Sequence, residues 1–428
     1  MRILQLTPGT GNYHCGSCLR DHSLVRGLRA RGHDVLMVPL YLPHVTDDPS
    51  EVGGTPVFLG GISVFLEQKF PLFRRMPGWL HRLFRSPALL RIAAGFAGMT
   101  SARDLGESAV AMLQRAESHQ AGEVERLIVW LRTQPRPDVI CLSNSLLGGL
   151  ARRLKDEFRA PVVCTLQGED SFLDGLPEPY RQQSWALLAE RCADIDHFVA
   201  VSHFYSGLMC RRLGLNPERV TVIYPGIAVE DFLPAASPPE PPVIGYLARM
   251  HPAKGLGALA DAFLRLEMPG VRLRIAGAKT GEDEAFVRSL RHRLPRDVEF
   301  LPNLDLAVKR EFLRGLTVLS VPATHGEALG LYVLEAWAAG VPVVQPRHGA
   351  FPELVEKTGG GILCDPDDPD ALAAALRQIL RDPAAARRMG EAGRRAVYAD
   401  FSIEAMTEKM ETLLRQTTSD ILTCEENL

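Results

Sequence analysis

Nine consecutive residues, Pro-Ala-Ala-Ser-Pro-Pro-Glu-Pro-Pro at 234–242, hold five prolines. Proline fixes φ and has no N–H to donate, so this stretch forms neither a helix nor an interior strand and reads as an extended linker. The same pattern runs on both sides of it, a short apolar run followed by a segment with helical spacing. Before it the runs are 2–8, 34–40, 138–142, 161–166, 197–201 and 220–223; after it they are 242–247, 271–276, 298–301, 316–321 and 341–345. Short strands alternating with helices build βαβ units around a mostly parallel sheet. At 428 residues the chain is also too long for one ordinary core. The expectation is an α/β protein of two Rossmann-like domains facing each other across a cleft. Their bounds are 1–233 and 243–400, with 234–242 as linker and a helical tail, 401–428, that could cross back to the first domain.

Charge narrows the function. Lys and Arg number 48 against 51 Asp and Glu, a net charge of -3, which argues against a nucleic-acid binder. No apolar run is long enough to span a membrane. The chain passes from Met1-Arg2 straight into Ile3-Leu4-Gln5-Leu6, so no secretory leader is expected. The eight cysteines (15, 18, 141, 164, 192, 210, 364, 424) are mostly scattered through predicted strands and helices. That suits buried free thiols in a reducing compartment, with the cytoplasm as the expected location.

The densest chemical signal is Ser320 to Val344. It reads as a strand end, a loop with Gly326, a helix starting near Gly330 and ended by Gly340, then another strand. A helix start at the carboxyl end of a parallel strand binds anions: the N–H groups of Ala328, Leu329, Gly330 and Leu331 and the helix dipole suit phosphate. Glu327 lies in the loop and Glu335 in the helix, and carboxylates suit hydroxyl-rich ligands because they accept several hydrogen bonds. Glu335 alone reads equally well as a solvated helix residue. In the first strand-to-helix loop of the same domain, Gly245-Tyr-Leu-Ala-Arg249-Met-His-Pro-Ala-Lys254-Gly255, two cations stand where both can face a diphosphate. Together these features describe a nucleotide-sugar pocket.

These residues resemble the motifs of the family 4 glycosyltransferases, which have the GT-B fold. Ala248-Arg249-Met250…Lys254-Gly255 is similar to the family's Gly-Arg-Leu…Lys-Gly, and Glu327 with Glu335 matches its Glu-x₇-Glu. Ser202-His203-Phe204 and Tyr224-Pro225-Gly226-Ile227 resemble its pre-linker segment, and Pro8 to Gly16 with Arg31-Gly32-His33-Asp34-Val35 its N-terminal loop and helix. The resemblance implies transfer of a sugar from a nucleotide-sugar co-substrate with retention; because cationic side chains and a helix start do the work a metal would do, no metal or other cofactor is expected. It implies that Arg249 and Lys254 grip the diphosphate, Glu327 the sugar hydroxyls and Glu335 the ribose. Backbone near Asn303 and Leu304 would lie against the base, and Gly16 would let its loop approach the phosphates. The N-terminal domain would then hold the acceptor, a glycan, lipid or small molecule, with Gln167 and Asp170 on that side.

Two positions depart from the family pattern. Cys15 stands where a glycine is usual, and Gln167 where histidine is common. Gln167 can hydrogen-bond a sugar hydroxyl but carries no proton. Alternatives therefore stay open: an epimerase or hydrolase of nucleotide sugars, or a catalytically silent partner subunit that binds them. Cys15-x-x-Cys18, near His14 and His22, allows a metal reading, but no second pair follows, and a plain loop role is preferred. Gly9, Gly11 and Gly16 miss the dinucleotide spacing, and the second strand ends without an acid for a ribose. Asp365-Pro-Asp367-Asp368 reads as a cap for a helix at 369–380. Residues 68–103 hold seven Lys or Arg, no acid and many aromatics. That insertion is read as a packed helical pair, an acceptor lid, or a peripheral contact with an anionic inner membrane face.

Overall fold

The structure is a computed structural model and describes residues 1–9, 16–41, 102–114 and 121–426. Cys15 and all but the last two positions of the basic-aromatic stretch 68–103 lie outside them. The chain divides into two compact units: Met1–Val201, Ser206–Ile223 and Thr407–Leu428 form the first, and Ser202–Tyr205 and Tyr224–Met406 the second. The division thus falls at Ile223/Tyr224, ahead of the expected boundary in the proline-rich segment. Residues 234–242 contain no helix or strand and belong wholly to the second unit. A further division falls inside the helix Ile403–Glu426, after Met406.

In the first unit the elements run β1 (Arg2–Thr7), α1 (Gly16–Ala30), β2 (Asp34–Pro39), α2 (Ala102–Gln114), α3 (Ala121–Leu131) and β3 (Val139–Leu142). They continue with α4 (Ala151–Phe158), β4 (Val162–Leu166), α5 (Glu169–Asp174), α6 (Tyr180–Arg191), β5 (His197–Ala200), α7 (His203–Leu213) and β6 (Val220–Val222). The first turn of α7 counts with the second unit. Six strands form one parallel sheet in the order β2-β1-β3-β4-β5-β6. Every residue of β3 and β4 is buried, because crossover helices cover both faces of a parallel sheet, and this is why these strands read as nearly continuous apolar runs, Thr165 excepted.

The second unit runs β7 (Val243–Leu247), α8 (Leu256–Leu264), β8 (Arg272–Gly277), α9 (Glu284–Arg293), β9 (Glu299–Pro302), α10 (Leu306–Arg314) and β10 (Val318–Ser320). After these come α11 (Leu331–Ala338), β11 (Val343–Pro346), α12 (Phe351–Thr358), β12 (Gly361–Cys364), α13 (Pro369–Arg381), α14 (Pro383–Asp400) and the first turn of α15 (Ile403–Glu426), which from Thr407 on counts with the first unit. Its parallel sheet has the order β12-β11-β10-β7-β8-β9 around a core that includes Ile244, Tyr246, Leu259, Ile275, Val318 and Leu376. Strand β12 has no counterpart among the runs expected from sequence. Asp368 caps α13, accepting from the N–H groups of Asp370 and Ala371.

In each sheet the strand order reverses once, between β1 and β3 in the first unit and between β7 and β10 in the second. Loops leaving two such strands turn to opposite faces and open a crevice at the strands' carboxyl ends, where ligands bind in open α/β sheets. Among the described residues no helix is long and apolar enough to cross a membrane.

Candidate functional site

The switch point of the second unit brings together the two loops that the sequence singled out. The loop after β7 is held by the buried Tyr246, whose hydroxyl donates to the Arg249 carbonyl at 2.8 Å. It ends at Gly255, whose φ is +72°, and a Cβ there would lie 1.6 Å from the Pro322 carbonyl oxygen. No other residue fits where the loops after β7 and β10 touch. The Ala253 carbonyl accepts from Thr324 N–H at 3.1 Å, and His325 Nδ1 lies 3.2 Å from it.

Across that seam Lys254 Nζ lies 2.6 Å from Glu327 Oε2, with side chains 26% and 16% exposed. The Tyr332 hydroxyl donates to the same oxygen at 3.1 Å. Burial pushes the Tyr332 phenol well above its usual range, and the Glu327 charge adds to this. The Glu327 loop is pinned on both sides. Ser202 Oγ donates to the Ala328 carbonyl at 2.6 Å, and Ala350 N–H donates to the Glu327 carbonyl at 3.0 Å. Gly330 is the cap of α11 in a left-handed conformation, with no side chain capping the first turn. Ala328, Leu329 and Gly330 are buried.

Arg249 is expected beside Lys254 on one diphosphate, but here it has separate partners. Its Nε lies 3.2 Å from Asp283 Oδ2, and its Nη2 lies 3.1 Å from Thr280 Oγ1 and 3.2 Å from Glu282 Oε2. Thr280 and Asp283 form a capping box. Burial acts to raise the Asp283 carboxyl, but bonds from the backbone and side chain of Thr280 and from Arg249 outweigh it and hold it below its ordinary value.

Glu335, on α11, is paired with Lys309 of α10, Nζ to Oε1 2.6 Å. Asn303 follows β9 with φ +56°. Its Oδ1 accepts from Lys279 N–H at 3.0 Å, tying the loops after β8 and β9 together, and Leu304 comes next.

In the first unit Gly16 is the first residue of α1. Gln167 stands just after β4, where its Nε2 donates to the Ser143 carbonyl at 2.5 Å. Asp170 lies in the first turn of α5. The neighbouring Glu169 is buried and accepts from the N–H groups of Ser145, Gln167 and Gly168. Beneath Gln167 lies a charged pair that sequence reading missed: Arg20 and Asp21 on α1 are 5% and 0% exposed and bonded to each other, and Ser143 Oγ donates to Asp21.

Also missed were Lys309, Tyr332 and Asp283. Asp283 had a usable signal, since Thr280-x-x-Asp283 ahead of a helix is a capping pattern. Lys309 had none, because no local pattern joins it to a glutamate 26 positions away. What the arrangement can do is exchange partners. The pairs Lys254–Glu327 and Lys309–Glu335 are partly exposed, so a ligand bearing phosphates and hydroxyls can take up both the cations and the carboxylates.

Two family models match the chain: Glycosyltransferase Family 4 over residues 100–231, and Glycosyl transferases group 1 over residues 230–396. Glycogen synthase of Mycobacterium tuberculosis is 30% identical over 277 residues, 62% of this chain and 66% of that protein's length. A GDP-mannose-dependent monoacylated alpha-(1-6)-phosphatidylinositol monomannoside mannosyltransferase of Corynebacterium glutamicum is 34% identical over 182 residues, covering 41% of this chain and 47% of the relative. Among solved structures, sucrose-phosphate synthase of Thermosynechococcus elongatus aligns with a TM-score of 0.73 at 19% identity, covering 98% of this chain and 100% of that one. Anabaena HepE in complex with UDP aligns with a TM-score of 0.68 at 18% identity, over 97% and 100% of the two chains. At such identities the structures speak for the fold alone, and the fold is GT-B. With both sheets, both family models and these relatives in agreement, the chain belongs to the family 4 glycosyltransferases.

Proposed function

We propose that the protein is a retaining glycosyltransferase that moves a sugar from a nucleotide-sugar donor to a glycan, lipid or small-molecule acceptor. The observation that carries this is the Lys254–Glu327 contact at the β7/β10 switch point, beside the uncapped first turn of α11. It puts a cation, a carboxylate and a helix start where a diphosphate and its sugar can be gripped together. Lys254 offsets charge on the departing diphosphate, and Arg249 joins it by leaving Thr280 and Glu282. Glu327 accepts from sugar hydroxyls and Glu335 from the ribose, with Asn303 and Leu304 flanking the base. Relatives point the same way: HepE is known with UDP and with UDP-glucose, and the mannosyltransferase of Corynebacterium is dependent on GDP-mannose.

Stabilising the leaving group is the main contribution assigned to the protein. The two cations and the helix start do the work a metal would do, so transfer is proposed to need none. The acceptor belongs to the first unit, with Gln167 and Asp170 beside it. Of the cysteines at 18, 141, 164, 192, 210 and 364, all but Cys210 are buried, which fits a reducing cytoplasm.

The test is release of nucleoside diphosphate from UDP-, GDP- and ADP-sugars. Release that continues only with acceptor present supports transfer. Release without acceptor gives a hydrolase, interconversion of the sugar an epimerase, and binding without turnover a silent partner. Loss of activity on chelation, restored by Mg²⁺ or Mn²⁺, overturns metal independence.

A further inference from the structure

One oxygen of Glu327 holds two donors. Lys254 Nζ is 2.6 Å and the Tyr332 hydroxyl 3.1 Å from Oε2, while Oε1 has no hydrogen bond among the described residues. The two donors constrain the carboxylate differently. A lysine ammonium on a flexible stem acts as a point charge and leaves the plane of the carboxylate free to turn. The terminal torsion of glutamate is broad and roughly two-fold, so the charge contact alone does not say which oxygen faces a ligand. A phenol hydroxyl on a fixed ring does.

The ring of Tyr332 is fixed by its surroundings. It is the second residue of α11, and the preceding Gly330 has φ +87°. A Cβ at Gly330 would lie 3.2 Å from Tyr332 Cζ, 3.3 Å from its hydroxyl oxygen and 3.2 Å from Phe351 Cε1. At such spacing a side chain at 330 would require the two rings to give by a few tenths of an ångström, and the positive φ disfavours one there as well. Glycine at 330 thus leaves the tyrosine unhindered room where it folds back over its own helix start to Glu327. Phe351 backs the ring, with centroids 6.5 Å apart and planes at 53°.

We propose that Tyr332 is a positioning residue of the donor site: with Lys254 it fixes Oε2 of Glu327 and leaves Oε1 to accept a hydroxyl of the donor sugar. This rests on the donor reading above and deepens it. Recognition of the sugar then depends on position 332, and recognition of the diphosphate does not.

The experiment is calorimetric titration of the full chain with UDP-glucose against UDP, and GDP-mannose against GDP. It uses wild type, Y332F, E327Q and the double variant. For the pair that wild type binds, Y332F is expected to weaken the sugar nucleotide about tenfold, roughly 1.4 kcal/mol, and to leave the diphosphate within about twofold. The double variant should be no worse than E327Q alone, because the two residues act as one unit. A thermal midpoint within about 2 °C of wild type shows that Y332F is folded. Unchanged sugar-nucleotide binding in Y332F, equal loss for sugar nucleotide and diphosphate, or additive losses in the double variant overturns the proposal and leaves the donor reading standing. Failure of wild type to bind any of these four ligands, or ADP-glucose or ADP, sinks the donor reading, and this inference with it.

Discussion

The two units place charge at the same topological position and treat it in opposite ways. In the first, Arg20 and Asp21 sit beneath the β1/β3 switch point, 5% and 0% exposed and bonded to each other, and Asp21 also accepts from Ser143. In the second, Lys254, Glu327, Lys309 and Glu335 keep between 14% and 26% of their side-chain surface. A sealed ion pair cannot trade partners, and removing one member strands the other charge at a cost of about 3–5 kcal/mol. A half-open pair contributes little to stability, typically about 0–1 kcal/mol, and is available to a ligand. Exposure therefore separates a charge that holds loops in place from one left open to a ligand.

Asp21→Ala should have the largest effect, a loss of about 3–5 kcal/mol in urea unfolding, with diphosphate affinity unchanged in the folded fraction. Wild-type stability in that variant would erase the contrast. Next come Arg249→Ala and Lys254→Ala. Each is expected to raise the barrier to transfer by on the order of 2–4 kcal/mol, read as kcat, and Lys254→Ala should move stability by less than about 1 kcal/mol. Turnover within about twofold of wild type in both would remove the donor site from this crevice.

A smaller effect separates the two carboxylates. Glu335→Ala and Lys309→Ala should each weaken a nucleoside diphosphate by about 1 kcal/mol, whereas Glu327→Gln should spare the diphosphate and lose the sugar. Equal losses at 327 and 335 would contradict the division of roles.

The last prediction concerns pH. Hydrogen bonds from Arg415 and Arg31 hold Glu411, on α15, down to about 2. A depressed carboxyl stabilises above its unfolded value, about 4.3, and that contribution is lost as pH falls through the folded value. The ion pair of Glu411 with Arg31, the residue after α1, should therefore persist from pH 8 to about 5 and decline between about pH 4 and 2. A carboxyl resonance of Glu411 titrating near 4 would contradict this.

How much was legible follows from where the information lies. Runs such as Val162–Leu166 and Val243–Leu247 were readable because a strand buried on both faces must be apolar nearly throughout. The short β12, Gly361–Cys364, was not, since three of its four residues are only half-buried and it opens with glycine. The motif residues Arg249, Lys254, Glu327 and Glu335 were found, but their partners were not. Lys309 meets Glu335, and Tyr332 turns back to Glu327, through packing that no spacing rule encodes. The change of unit at Ile223/Tyr224 was hidden because prolines mark where a chain is extended, not where its contacts change hands.

Helix α15 passes from the second unit into the first inside a single element. Met410, Leu413 and Leu414 are buried along it, and its Thr407 fills the space that a side chain at Gly27 would need. The first unit thus holds one helix made only after the whole second unit has been synthesised. At roughly 5–20 residues per second, the 183 residues between Ile223 and Thr407 impose a wait of about 10–40 s. During that wait the face of α1 around Gly27 is uncovered, so the half of the protein that emerges first is the half that is finished last.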